Sequence, residues 1–139
     1  MASDRTVFDP DDADVNAYKL LTALVVPRPI AWVSTVDAAG RGNLAPHSFF
    51  TVASGRPPVV LFSSLGRKDT VRNIEETKEF VWNLVTMPLA QQMNVTSAHV
   101  PPDVSEFTTS GLTPVPSRFV KVPRVGETSA AMELSLIHI

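Results

Sequence analysis

Apolar and polar positions change their period several times along the chain, and each change marks an element. In "NAYKLLTAL" (16–24), Tyr18, Leu21 and Leu24 recur at helical steps, which predicts a short helix. Pro27 and Pro29 then forbid helix. Ile30, Trp32, Ser34 and Val36 alternate with Ala31, Val33 and Thr35, which reads as a strand. "DAAGRGN" (37–43) is a hairpin turn with two glycines. "LAPHSFFTVAS" (44–54) is the returning strand, with Pro46 marking an irregularity or a sheet edge. "GRPP" (55–58) turns the chain again, and "VVLFSS" (59–64) reads as a buried strand. "DTVRNIEETKE" (69–79) predicts a helix capped by Asp69 or Thr70. Val71, Ile74 and Lys78 would share one face, with Glu75 and Glu76 outward. "FVWNLVT" (80–86) is a strand, and "PLAQQMNVTSA" (88–98) a helix opening on Pro88. Residues 99–118 form a long loop with one turn, and "FVKVPRV" and "AMELSLIHI" are two further strand-like pieces.

Six strands and three helices result. The early strands are joined by short turns, and a single helix bridges 64 to 80. That order predicts a mainly β domain, an antiparallel sheet closed into a barrel with peripheral helices, rather than a doubly wound parallel sheet. Residues 1–15 are polar and acidic and read as a flexible arm; residues 16–139 read as the single domain. The final segment stops inside an alternating apolar run with no turn after it. The barrel is therefore expected to be incomplete at the C-terminus, truncated before its last strands, and "LSLIHI" itself is similar to read-through of a sequencing adapter.

Composition narrows the function classes. The chain has 139 residues, enough for one core, and 12 prolines, which suits short elements joined by stiff turns. Its net charge of −2 offers no basic field for nucleic acid. Cysteine is absent, which excludes disulfides, thiolate catalysis and Cys-ligated zinc, and is compatible with a cytoplasmic location. The acidic N-terminus has no signal-like apolar core, and no apolar run approaches the roughly 20 residues of a membrane span.

The densest candidate chemistry lies in "SSLGRKDT" (63–70), between an apolar run and a predicted helix. Ser63 and Ser64 offer hydroxyls, Gly66 allows close backbone approach, and Arg67 and Lys68 bring positive charge. The first helical turn at Thr70 adds unpaired N–H groups. This is a set of donors for a phosphate; the alternative is a solvated polar turn with an ordinary helix cap. The spacing matches neither a Walker loop nor a dinucleotide fingerprint.

A second stretch, "PRPIAWVST…GNLAPHSFF", places Ser34, Thr35, Asn43, His47 and Ser48 on otherwise apolar strands. Such residues form either a solvated outer face or the edge of a slot for a flat heteroaromatic ligand. Trp32, Phe49 and Phe50 read as core. His47, His99 and His138 show no metal-ligand spacing, and no nucleophile elbow is present. Asp37 is a turn residue, and Asp103 and Glu106 read as solvated loop carboxylates.

Together, "PRPIAWVSTVDAAGRGNLAPHSFFTVAS" and "PPVVLFSS…RKDTVRNIEETKEFVWNLV", with the later "SEFTTSGLTPVPS" and "VPRV", resemble the flavin reductase-like family of FMN-binding split barrels, to which flavoredoxin belongs. The resemblance covers roughly residues 16–134, and its motifs are specific in combination. It fits better than one to the pyridoxamine-phosphate oxidase-like barrels, which also use FMN.

The resemblance implies FMN bound at a homodimer interface, with Ser63, Ser64, Arg67, Lys68 and Thr70 around its phosphate. It implies Ser34, Thr35, Asn43, Ala45, His47, Ser48 and Phe49 along the ring and ribityl chain. It implies hydride transfer from NADH or NADPH to the flavin and electrons onward to an acceptor, in some members a protein. No general acid or base is required, and His47 is the single side chain with a conceivable catalytic role. Two alternatives stand beside it: an electron-transfer flavoprotein without its own nicotinamide turnover, and a non-catalytic split-barrel module binding heme or no ligand. Members of the family continue for several dozen residues beyond this point, so the resemblance implies that closing strands and part of the interface are missing here.

Overall fold

The computed structural model describes residues 6–101 and 103–139. Five of the first fifteen residues thus lie outside the described part; residues 6–14 are exposed, with a turn closed by the Asp12 N–H donating to Asp9 O at 3.1 Å.

The central strand is β1 (Ala31–Val36), and all six of its residues are buried. It pairs antiparallel with β2 (Gly42–His47) on one side and β5 (Glu79–Asn83) on the other; β8 (Ala131–Ser135) extends the sheet beyond β5. β2 is therefore an edge strand, and it carries Pro46, where a missing amide proton costs nothing to the ladder. A separate hairpin joins β3 (Phe50–Gly55) to β4 (Pro58–Phe62), with a register shift between Val52 and Ser54. Two-residue strands β6 (Pro114–Val115) and β7 (Arg124–Val125) pair with each other.

The helices lie outside the sheet. α1 (Ala17–Leu24) is capped by Asn16, whose side chain accepts from Lys19 N–H at 3.0 Å. α2 (Asp69–Thr77) bridges β4 to β5 and buries Ile74. A 3-10 turn at Met87–Leu89 leads into α3 (Ala90–Val95), and α4 spans Glu106–Ser110. The expected mainly β, antiparallel architecture with outer helices is thus observed, although the hydrogen-bonded strands of the described residues make three separate sheets rather than one closed ring.

Alternation on β1 divides the core. Trp32 packs with Leu44, Leu89, Phe107, Leu112 and Val125 on one face; Ala31 and Val33 pack with Ile74 and Phe80 on the other. Because both faces are covered, Ser34 and Thr35 are fully buried, and the solvated-face alternative does not hold for them.

Several boundaries move for physical reasons. The returning segment 44–54 is two strands. β1 begins just after Pro29, which has no amide proton to extend pairing past His47, so the chain leaves the sheet at Ser48 and re-pairs with β4. β4 is not a buried strand: only β3 pairs with it, and Leu61 is 47% exposed. α2 is capped by neither Asp69 nor Thr70; its N-cap is Lys68, which makes no side-chain cap bond. Lys78 is not on the helix face but at the C-cap, in the left-handed region. Of "FVKVPRV" only Arg124–Val125 is strand, and the long loop 99–118 contains α4.

Candidate functional site

A groove of about 440 Å³ opens where β2 ends, the β4–α2 loop turns and residues 96–100 follow α3. That volume is in the range of small-molecule sites, about 300–1,000 Å³. Ten of the twelve residues that the sequence nominates line it: Asn43, Ala45, His47, Ser48, Phe49, Ser63, Ser64, Arg67, Lys68 and Thr70. The other two do not. Ser34 Oγ donates to Pro123 O at 2.6 Å and accepts from Asn83 Nδ2 at 3.2 Å, while Thr35 Oγ1 accepts from Asn43 at 3.3 Å and Asn73 at 3.0 Å. These are interior fastenings of β1 rather than lining of the groove.

The loop that enters α2 has the features an anion needs. Gly66 sits at φ +83°, a left-handed conformation that favours glycine. The helix that follows has no side-chain cap, so its first-turn N–H groups and positive end remain available. The cations divide their work. Arg67 pairs with Glu75 and Arg72 with Asp69, whereas Lys68 is in no ion pair among the described residues. The hydroxyls divide too: Ser64 Oγ donates to Gly66 O at 2.9 Å, leaving Ser63 as the loop hydroxyl without a partner among the described residues. Thr70 Oγ1 accepts from Asn43 Nδ2 at 3.1 Å and keeps its own proton to give.

The opposite wall is edge strand and aromatic. Phe49 is half-buried rather than core, with Tyr18 edge-on at 6.1 Å and the Arg28 guanidinium 5.6 Å above its ring. Trp32 is core, as its pattern predicts, and donates to Thr96 Oγ1 at 2.9 Å. Phe50 is half-buried and stacks on Trp82 at 5.7 Å. His47 rests on Phe62 at 4.8 Å. Burial first, and the Lys68 charge second, push its pKa down to about 4, against a hydrogen bond to the Ser63 backbone. The imidazole is therefore neutral at physiological pH, an acceptor as well as a donor rather than a second cation.

Residues outside those twelve also line the groove, among them Pro46, Leu65, Asp69, Arg72, residues 96–100 and Glu106. Glu106 corrects an expectation. It is not solvated but 6% exposed, and one carboxylate oxygen accepts the Leu44 N–H at 3.0 Å. Burial pushes its pKa up, against that bond. The available signal was "SEFTTSG", a cap residue before an acid with glycine at the stop. Asp103 is exposed as expected, and Asp37 holds its turn by accepting from Ala39 and Arg41 N–H, both at 2.9 Å. Among the described residues no group of three His, Cys, Asp or Glu is gathered to hold a metal, and no helix is long and apolar enough to cross a membrane.

A mainly β domain of antiparallel strands with outer helices, as here, is of the split-barrel class. Residues 23–139 match the family described as flavin reductase like domain, and the chain belongs to that family. It is 48% identical over 124 residues to an uncharacterized protein of Aquifex aeolicus, which covers 86% of this chain. The chain spans 63% of that relative's length. Among solved structures it is similar to nitrilotriacetate monooxygenase component B from Bacillus cereus, with TM-score 0.89 and 34% identity over 96% of this chain and 69% of that one. It is also similar to flavoredoxin of Desulfovibrio vulgaris (Miyazaki F), with TM-score 0.79 and 27% identity over 91% and 66%.

Proposed function

We propose that the groove binds FMN and that the protein is a flavin oxidoreductase using NADH or NADPH. The observation that carries the reading is the entry to α2: Lys68, in no ion pair among the described residues, lines the groove at an uncapped helix start that follows a left-handed Gly66. Lys68, Ser63 and the Thr70 hydroxyl, with the first-turn N–H groups, would hold the phosphate; Arg67 supplies charge at the rim while paired with Glu75. Ala45, Pro46, His47, Ser48 and Phe49 would flank the ring and its ribityl chain. When bound, the flavin supplies acceptance of a hydride from reduced nicotinamide and release of electrons to an acceptor. The chain's own part is to bind, orient and shield. The neutral His47 can exchange a hydrogen bond with the ligand without adding charge.

The exposed apolar residues Tyr18, Leu21 and Leu24 of α1 and Val52 and Leu61 of the β3–β4 hairpin suit a second copy of the chain, so the working unit is read as a homodimer. The likeness to a monooxygenase component supports a protein electron acceptor, and the likeness to flavoredoxin supports the second reading, electron transfer without nicotinamide turnover. A cytoplasmic location accords with the nicotinamide donor.

Titration with FMN, followed by flavin fluorescence, tests the binding; saturable quenching is expected, and an unchanged signal would remove the reading. Anaerobic addition of NADH or NADPH to the yellow complex separates the two activities: prompt bleaching marks the reductase, and persistent colour the electron carrier.

A further inference from the structure

Glu106 is the sole charged residue in the buried set of the described chain. It lies where two depressions meet. One is the groove already described; the other, of about 240 Å³, is lined by Asp37, Arg41, Asp69, Arg72 and Glu76 among others. Its carboxylate takes the Leu44 N–H, a donor of the edge strand β2. The carboxylate thus stands in for a missing strand neighbour.

Docking of α4 does not depend on this bond. Phe107, 3% exposed, shares a core cluster with Leu44 and Trp32, and its ring lies 3.7 Å from the position of a Cβ on Gly42. A glutamine could accept the same N–H without the desolvation a carboxylate suffers. A purely structural role would be served as well by the neutral amide. What the carboxylate touches, however, is the strand whose next residues wall the groove: Asn43, Ala45, Pro46 and His47 flank Leu44 on both sides.

We infer that Glu106 is a positioning residue of the flavin groove, fixing through the Leu44 N–H the backbone path of Asn43–His47 against which the ligand lies. The inference rests on the flavin reading above. Protonating the carboxyl weakens its hold on Leu44, so flavin affinity gains an acid limb. The charged groups that line the two depressions with it are Asp37 and Arg41 from the β1–β2 turn, Arg67 and Lys68 from the loop before α2, and Asp69, Arg72 and Glu76 from α2, with the imidazoles of His47 and His99 also in the groove. Arg41, Arg67 and Arg72 are already paired, with Asp37, Glu75 and Asp69, so no arginine there is a counter-ion held in reserve for Glu106.

The test is FMN titration of the 139-residue chain and its Glu106→Gln and Glu106→Ala variants between pH 5 and 8. The flavin phosphate titrates equally in all three, so differences between profiles belong to Glu106. Glu106→Ala is expected to bind about tenfold more weakly at pH 7 with unchanged circular dichroism, as loss of a bond to a charged group implies. Glu106→Gln is expected to recover most of the affinity and to lack the additional acid limb. Superimposable profiles for the parent and Glu106→Gln would overturn the inference, as would parental affinity in Glu106→Ala. If Glu106→Ala fails to fold, the comparison of the parent with Glu106→Gln decides alone. A parent that binds no FMN at any pH would instead remove the flavin reading, and this inference with it.

Discussion

Asn43 Nδ2 donates to Thr70 Oγ1 at 3.1 Å and ties the edge of the sheet to the first turn of α2. The second proton of the same amide goes to Thr35 Oγ1, which also accepts from Asn73. Groove wall, first turn of α2 and central strand therefore share one polar cluster. Replacing Thr35 by Val keeps the shape and removes the shared acceptor. Two buried amide donors then lose a partner, and destabilisation of about 1–3 kcal/mol is expected. Urea unfolding at pH 7 measures it; an unchanged midpoint would show that the cluster contributes nothing to stability.

Lys68→Ala removes the cation of the loop that has no acidic partner among the described residues. FMN affinity is expected to fall by more than about tenfold, the value of one charge-assisted bond, with the melting temperature unchanged. Riboflavin, which has no phosphate, should bind the parent and the variant alike. Equal loss for both ligands would place Lys68 elsewhere than at the phosphate.

His47 is expected to titrate near 4, and in Lys68→Met to rise part of the way toward 6.5, because burial, the larger cause, remains. The imidazole proton resonances report this directly. The native state binds fewer protons than the unfolded chain between about 4 and 6.5, so stability is full above that window and declines as pH falls through it. Glu106 acts in the opposite sense. Its raised pKa means the native state holds the proton more tightly, so ionisation costs stability as pH rises through its range. Glu106→Gln should accordingly melt above the parent at pH 7 and level with it in acid.

Leu61→Glu places a charge on the exposed face of the hairpin without touching the groove. Light scattering should show a dimer for the parent and a monomer for the variant. A monomeric parent at micromolar concentration would remove the homodimer reading.

The legible parts of the fold were those with local causes. α1, β1 and α2 follow from apolar period, prolines and the polar run at 63–70. The split of 44–54 was not legible, because "HSFF" contains no glycine or proline; the break comes from where the partner strand runs out, a tertiary fact. Burial of Ser34 and Thr35 was hidden for the same reason, since alternation does not say that both faces of β1 are covered. Most of the groove was legible because its residues cluster in two short stretches. Glu106 was not, since only folding brings it to Leu44, 62 positions away.

The buried side chains of Ser34 and Asn83 hold β7 and the residue ahead of it: Ser34 Oγ donates to Pro123 O, and Asn83 Oδ1 accepts the Val125 N–H at 2.8 Å. A flap held only by surface contacts could open alone. This one cannot lift without stranding polar atoms in the sheet's interior. The Val125 amide should therefore exchange with deuterium as slowly as the β1 amides, reporting cooperative unfolding of the whole domain rather than local breathing.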